Sequence, residues 1–288
     1  MKKVFLYIAL IGICMSACKA LQKKGEVFDK ENLVAWCIVP FDAEERSPEQ
    51  RARMLNELGI SALAYDYRDS HIPSFPEEIE VLKAHHIDLQ AVWLWADPRQ
   101  EETLGKAGRT IFDMLGSSGT HTEIWVGMPE DAFEGLRDDE SMDLALGALR
   151  EILVEAGNIG CTLALYNHGG WYGEPENLVR IVEELGSEKL RIVYNFHHGH
   201  QQVDRFQENL DLMLPYLSTI NLNGMRVEGP KIIPLGKGDR ELDMMKAIQA
   251  SGYSGSIGII GHTDGEDIKP VLEGNLLGLE ELRHKLRK

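Results

Sequence analysis

The sequence predicts a single (β/α)8 TIM barrel. Three observations predict it. Eight short apolar runs rich in β-branched and aromatic residues follow one another, amphipathic stretches with helical spacing lie between them, and each unit takes about 27 to 40 residues. A doubly wound open sheet is the alternative. Such a sheet would more often show a phosphate-binding glycine fingerprint after its first strand, whereas this strand ends Val39-Pro40-Phe41-Asp42.

The strand candidates are 33–39, 60–67, 87–95, 121–127, 161–166, 190–196, 218–223 and 256–261. The first helix opens at Ser47-Pro48-Glu49-Gln50, with an N-cap serine, proline at N1 and a capping-box glutamine, and Gly59 closes it. Helical spacing then marks Phe75 to His86, with Ile79 and Leu82 on one face, and Ser141 to Ala156, with Leu149, Ile152 and Leu153. Glu176 to Leu185, Phe206 to Leu217, Glu241 to Ala250 and Asp267 to Leu286 continue the pattern.

The chain opens with an address. Lys2 and Lys3 precede an apolar run from Val4 to Ala17, too short for a lasting membrane span, and Met15-Ser16-Ala17-Cys18 resembles the lipobox of bacterial lipoproteins. Residues 1–17 read as a lipoprotein signal peptide, Cys18 as the lipidated N-terminus, residues 18–31 as a solvated tether and 32–288 as the barrel. The protein is then expected in the cell envelope, lipid-anchored to a bacterial membrane and facing the periplasm or exterior. An ordinary cleaved signal peptide is the alternative. Loss of Lys2 and Lys3 would take the net charge from −16 to −18. A chain this acidic is a poor partner for nucleic acid or phosphorylated substrates. Cys37 and Cys161 sit in apolar surroundings and read as buried, inert thiols.

Barrel enzymes work at the C-terminal ends of their strands. Here Trp36 lies on strand 1, Asp66 ends strand 2, Trp93 and Trp95 end strand 3, and His168 and Trp171 follow strand 5. Strand 6 leads into Asn195, His197, His198 and His200, strand 7 carries Asn221 and Asn223, and strand 8 leads into His262. Half of the ten histidines thus gather on three strand ends, the pattern of one polar site. Indoles beside them suit stacking on sugar rings; some, Trp36 among them, would serve barrel packing instead. Asp66 could orient a histidine, bind hydroxyls or pair with Arg68, and Glu174 could act as an acid or cap the next helix. Gly236-Lys237-Gly238 lacks the ending of a phosphate-binding loop.

Residues 33–286 resemble the xylose isomerase-like TIM-barrel proteins, the sugar phosphate isomerase/epimerase group. The carriers are Leu163-Ala164-Leu165-Tyr166-Asn167-His168, Tyr194-Asn195-Phe196-His197-His198, Leu235-Gly236-Lys237-Gly238-Asp239 with Asp243, and Gly252-Tyr253-Ser254-Gly255. The resemblance implies a divalent metal held by Glu, Asp, His and Glu on strands 5 to 8, polarising a carbonyl while carboxylates move a proton. At those four places this sequence has Tyr166, Asn195, Asn221 and Ile260. The next inward positions are His168, His197, Asn223 and His262, because side chains alternate along a strand. Two readings follow. His168, His197 and His262 could hold Zn or Mn one layer nearer solvent. Alternatively the pocket is metal-free, with His168, His197 and His198 as acid/base or hydroxyl-binding residues. The resemblance makes His198 a substrate contact.

The expected function is an exported enzyme acting on a small carbohydrate by proton abstraction next to a carbonyl, as isomerase, epimerase, lyase or hydratase. A barrel that lost catalysis and binds a sugar or partner protein is the alternative. An endonuclease of the same fold is a third, which the acidic charge disfavours.

Overall fold

The computed structural model describes residues 26–288. The lipobox, Cys18 and residues 18–25 of the tether lie outside them. Strands β1 (Leu33–Trp36), β2 (Ala62–Tyr65), β3 (Asp88–Trp95) and β4 (Glu123–Gly127) are followed by β5 (Thr162–Tyr166), β6 (Leu190–Asn195), β7 (Leu217–Leu222) and β8 (Ser256–Ile260). All pair in parallel, and β8 returns to β1 with Trp36 opposite Ile260, closing the barrel. Helices α1 (Pro48–Leu58), α2 (Phe75–Ala84), α3 (Gly105–Ser118), α4 (Asp138–Asn158), the one-turn α5 (Gly170–Gly173), α6 (Pro175–Leu185), α7 (Phe206–Met213), α8 (Glu241–Ala250) and α9 (Ile268–Leu286) interleave with them.

Strand alternation sorts the apolar residues into two cores. Outward positions such as Leu63, Leu94, Ile124, Leu165 and Ile192 meet the helices. Inward positions form a separate cluster of Val34, Trp36, Ala64, Ala91, Trp125, Ala164, Tyr166, Val193 and Ile260. Small and large alternate: the rings of Trp36, Trp125 and Tyr166 fill the space that the alanines leave, with Trp36 and Trp125 edge-on at 4.9 Å. The expected packing role of Trp36 is therefore real, although its ring also reaches the mouth.

Local chemistry sets the helix ends. The Ser47 hydroxyl accepts from the Gln50 amide, Gln50 Oε1 accepts from the Ser47 amide, and Gly59 takes φ +66° to end α1. Between α1 and α2, Arg51 and Glu78 form a buried pair at 3.1 Å. Three elements depart from expectation. Helix α3 has no clear signature in the sequence, because its three glycines dilute the helical signal; Ile111, Phe112 and Leu115 still bury its inner face. Helix α7 stops at Met213, before the Pro215 that cannot continue it. The tether ends early: Phe28 is 2% exposed in the core, and Asn32 Nδ2 donates to Val27 O and Gly255 O, both at 2.8 Å. Residues 26–31 are thus docked against the barrel, anchored by Phe28 in the core outside the strands. Among the described residues no helix is long and apolar enough to cross a membrane.

Candidate active site

At the C-terminal ends of the strands a cavity of about 380 Å³ opens into the barrel mouth. Its walls include Trp36, Asp66, Trp93, Tyr166, His168, His197, His198 and His262. Strand alternation explains the convergence. His168, His197 and His262 each sit two residues beyond an inward-facing Tyr166, Asn195 or Ile260. The rings touch in sequence: His168 and His198 centroids are 4.6 Å apart, His197 and His198 3.9 Å, and His197 and His262 6.1 Å. The Phe41 and His262 rings lie 4.0 Å apart, tilted by 34°, and the Arg68 guanidinium lies 5.4 Å from the Phe41 ring centroid.

Burial decides the protonation states. His198 is pulled down to about 3, first by burial and then by His168, Lys231 and His262 nearby. Burial likewise holds His197 well below its ordinary value, with lesser contributions from His198, His262 and Lys231. His168 and His262 are lowered for the same first reason. Asp66 moves the other way: burial pushes it up to about 7, only partly opposed by the Val39 amide and Arg68. Its one direct hydrogen bond is long, Val39 N to Oδ1 at 3.4 Å. The mouth therefore holds neutral imidazoles beside a carboxyl that titrates near neutrality.

Several polar atoms here have no partner. His168 Nδ1, His197 Nδ1, Trp93 Nε1 and Asn223 Oδ1 are buried and unpaired. Glu130 approaches His168 Nδ1 only to 3.9 Å, a distance that a bound hydroxyl could bridge. The approach requires Gly169 and Gly170: both have φ +60°, and a Cβ on Gly169 would lie 2.3 Å from Glu130 Oε1.

Other expected residues lie elsewhere. Asn195 and Asn221 sit below the cavity in a chain of amides. Asn221 Nδ2 donates to Asn195 Oδ1 at 2.7 Å, and Asn195 Nδ2 donates to Asn167 Oδ1 at 2.9 Å. Asn223 donates to the carbonyls of Gly224 and Lys231, pinning the loop after β7. Trp171 packs on Phe133 at 5.1 Å and donates to Asp138, outside the mouth. His200 bonds the Arg226 carbonyl. Trp95 lines a neighbouring cavity instead. Glu174 holds Gln202 Nε2 at 2.6 Å and precedes α6. The sequence reading missed Cys37, Phe41, Arg68, Glu130, Lys231 and Ile232, which complete the walls. Cys37 takes φ +55°, a left-handed turn no spacing announces, and its thiol is pushed up by burial. Both described cysteines are free and buried, as expected.

A metal of the implied kind does not fit these residues. Tyr166 is packed among Trp36, Trp93 and Trp125, Ile260 offers no donor, and the Asn195 amide is spent on its neighbours. Among the described residues no three of His, Cys, Asp and Glu are grouped to hold an ion, so the expected set of His168, His197 and His262 lines one cavity without forming a ligand cage.

Fold and site together define a barrel with a small, imidazole-rich mouth. Residues 41–283 match the family described as xylose isomerase-like TIM barrel, and the chain belongs to that family. Solved structures share the fold. The 3-keto-D-glucoside 4-epimerase of E. coli superposes with TM-score 0.69 at 15% identity, covering 88% of this chain and 100% of that one. The D-psicose 3-epimerase of Clostridium cellulolyticum H10 gives 0.63 at 15%, covering 88% and 99%. The IolI protein with a bound zinc atom gives 0.68 at 12%, covering 88% and 99%. No curated protein sequence matches the chain.

Proposed function

We propose that this protein is an enzyme acting on a keto-sugar, moving a proton at the carbon next to the carbonyl. The observation that carries the reading is Asp66, a buried carboxyl at about 7, in one cavity with four neutral imidazoles and an indole wall. A group titrating near the working pH is the better acid/base; an imidazole near 3 is a poor base but a good hydrogen-bond partner. Asp66 as carboxylate takes the proton from carbon. Imidazole N–H groups of His197 and His198 hold the oxygen of the resulting enolate. Return of the proton to another face or atom gives epimer or isomer; loss of a β-hydroxyl gives elimination. The proton-moving role expected of the histidines thus passes to Asp66. Similar folds among sugar epimerases, and in a probable 3-DHS dehydratase from Bacillus anthracis, support this class of chemistry.

The test is exchange of substrate C–H with deuterium from D2O, followed by NMR, using D-fructose and a 3-keto-D-glucoside. Exchange that persists in chelator and is lost in Asp66→Asn supports the reading. Tight sugar binding with no exchange would instead favour the non-catalytic barrel, which the loss of all four family ligand positions recommends. We also infer export and lipid anchoring through Cys18, supported by the lipobox alone. Cys18→Ala should move the protein from the membrane to the soluble fraction, and retention in the membrane would exclude this anchor.

A further inference from the structure

Beside the imidazole-lined cavity lies a second, larger one of about 840 Å³, between the loops that follow β2 and β3. The two share Arg68, Trp93 and His168 as walls. Trp95 belongs to the outer cavity alone, yet its ring lies 5.3 Å from Trp93 and meets His168 edge-on at 4.8 Å. An aromatic wall therefore runs without a break from the barrel interior to the outer rim. We propose that the two cavities are one cleft, and that the substrate is a keto-glycoside of at least two sugar units. Its keto-sugar sits among the imidazoles and its second sugar on Trp95. This rests on the reading of the inner cavity as a keto-sugar site.

Size and chemistry favour this occupant. The inner space is at the small end for a ligand pocket and suits one ring; the outer has room for another or more. An indole face with polar groups around it is the surface a pyranose face needs. The outer walls carry Asp69, Asp97 and Glu102 against Arg68 and Lys106, so a neutral sugar fits better than a phosphate. The wall is also preformed. Asp97 N donates to Thr103 O at 2.8 Å across the loop, and Arg99 clamps Asp97 and Asp131 together.

Isothermal titration of the full chain would measure binding of D-fructose and of the keto-disaccharides lactulose, turanose and isomaltulose. At least one disaccharide is expected to bind about tenfold more tightly than fructose. Ala107→Phe, which fills the outer cavity only, should erase that advantage and leave fructose affinity unchanged. Unchanged fructose binding also shows that the variant is folded. Disaccharides no tighter than fructose, or an advantage that survives Ala107→Phe, would overturn the extended cleft and leave the inner site standing. Failure of fructose and all three disaccharides to bind would remove both readings.

Discussion

The two ends of this barrel treat buried polar groups in opposite ways. At the N-terminal end, Glu123 is half-buried and accepts from Trp125 Nε1 at 2.7 Å and Ser218 Oγ at 2.8 Å. Tyr253 donates to the Ser218 and Ser256 carbonyls beside it, and Thr122 to that of Leu89. At the C-terminal end, His168 Nδ1, His197 Nδ1 and Trp93 Nε1 have no partner and Asp66 has one long bond. A buried polar atom without a partner costs about 1–3 kcal/mol. The Glu123, Tyr253 and Thr122 groups of the floor are paired; the mouth holds polar atoms whose hydrogen bonding a ligand would complete. Such local instability is the usual signature of a working site.

Asp66→Asn gives the largest test of that contrast. Activity should fall by roughly 10²- to 10⁴-fold, the ordinary worth of a positioned acid/base. Stability should move the other way. The folded site keeps a proton that the unfolded chain releases, so stability is lost as pH climbs from about 4 to about 7. Above pH 7 the Asn variant should be more stable by up to roughly 4 kcal/mol in denaturant melts. Equal stability at pH 8 would mean that Asp66 is not strained.

The floor should respond in the opposite sense. Trp125→Phe strips Glu123 of a donor and should cost about 1–3 kcal/mol, with sugar affinity reduced only through stability. A gain in stability there would abolish the distinction between the ends. The imidazoles set the acid arm. Folded His198 stays neutral to about 3, whereas the unfolded chain takes up a proton below about 6.5, so stability falls as pH drops through that window. His198→Phe should make this fall shallower, read from melting temperatures between pH 6.5 and 4. Ser218→Ala is the smallest test, at about 0.5–1.5 kcal/mol and no change in activity.

Much of this was legible in the sequence. Period-two alternation placed Tyr166 and His168 on one wall, and the same spacing aligned Asn195 with His197 and Ile260 with His262. Capping chemistry marked α1 to the residue. What escaped lies where no period operates. Lys231 comes from the irregular connection after β7 and Glu130 from a short 3-10 turn after β4, and nothing in their neighbours along the chain directs them to the cavity. Asp66 was visible, but its raised pKa was not, because desolvation depends on what surrounds it in three dimensions. Trp171 and His200 misled for the reverse reason. Each follows a strand end closely, yet a one-turn helix carries Trp171 to Phe133, and the turn after β6 carries His200 to the Arg226 carbonyl.

The run of amides beneath the cavity limits which side chains its positions can accept. Each side chain in it points the same way, so that the Asn195 NH2 group faces an oxygen of Asn167 that already receives the Asn195 backbone. Replacing Asn195 by aspartate would set oxygen against oxygen. A carboxylate at position 195 alone is therefore repelled by Asn167 Oδ1, and the substitution is tolerated only if Asn167 changes with it. Three linked asparagines thus behave as one unit, in which no member can gain a charge independently of its neighbours.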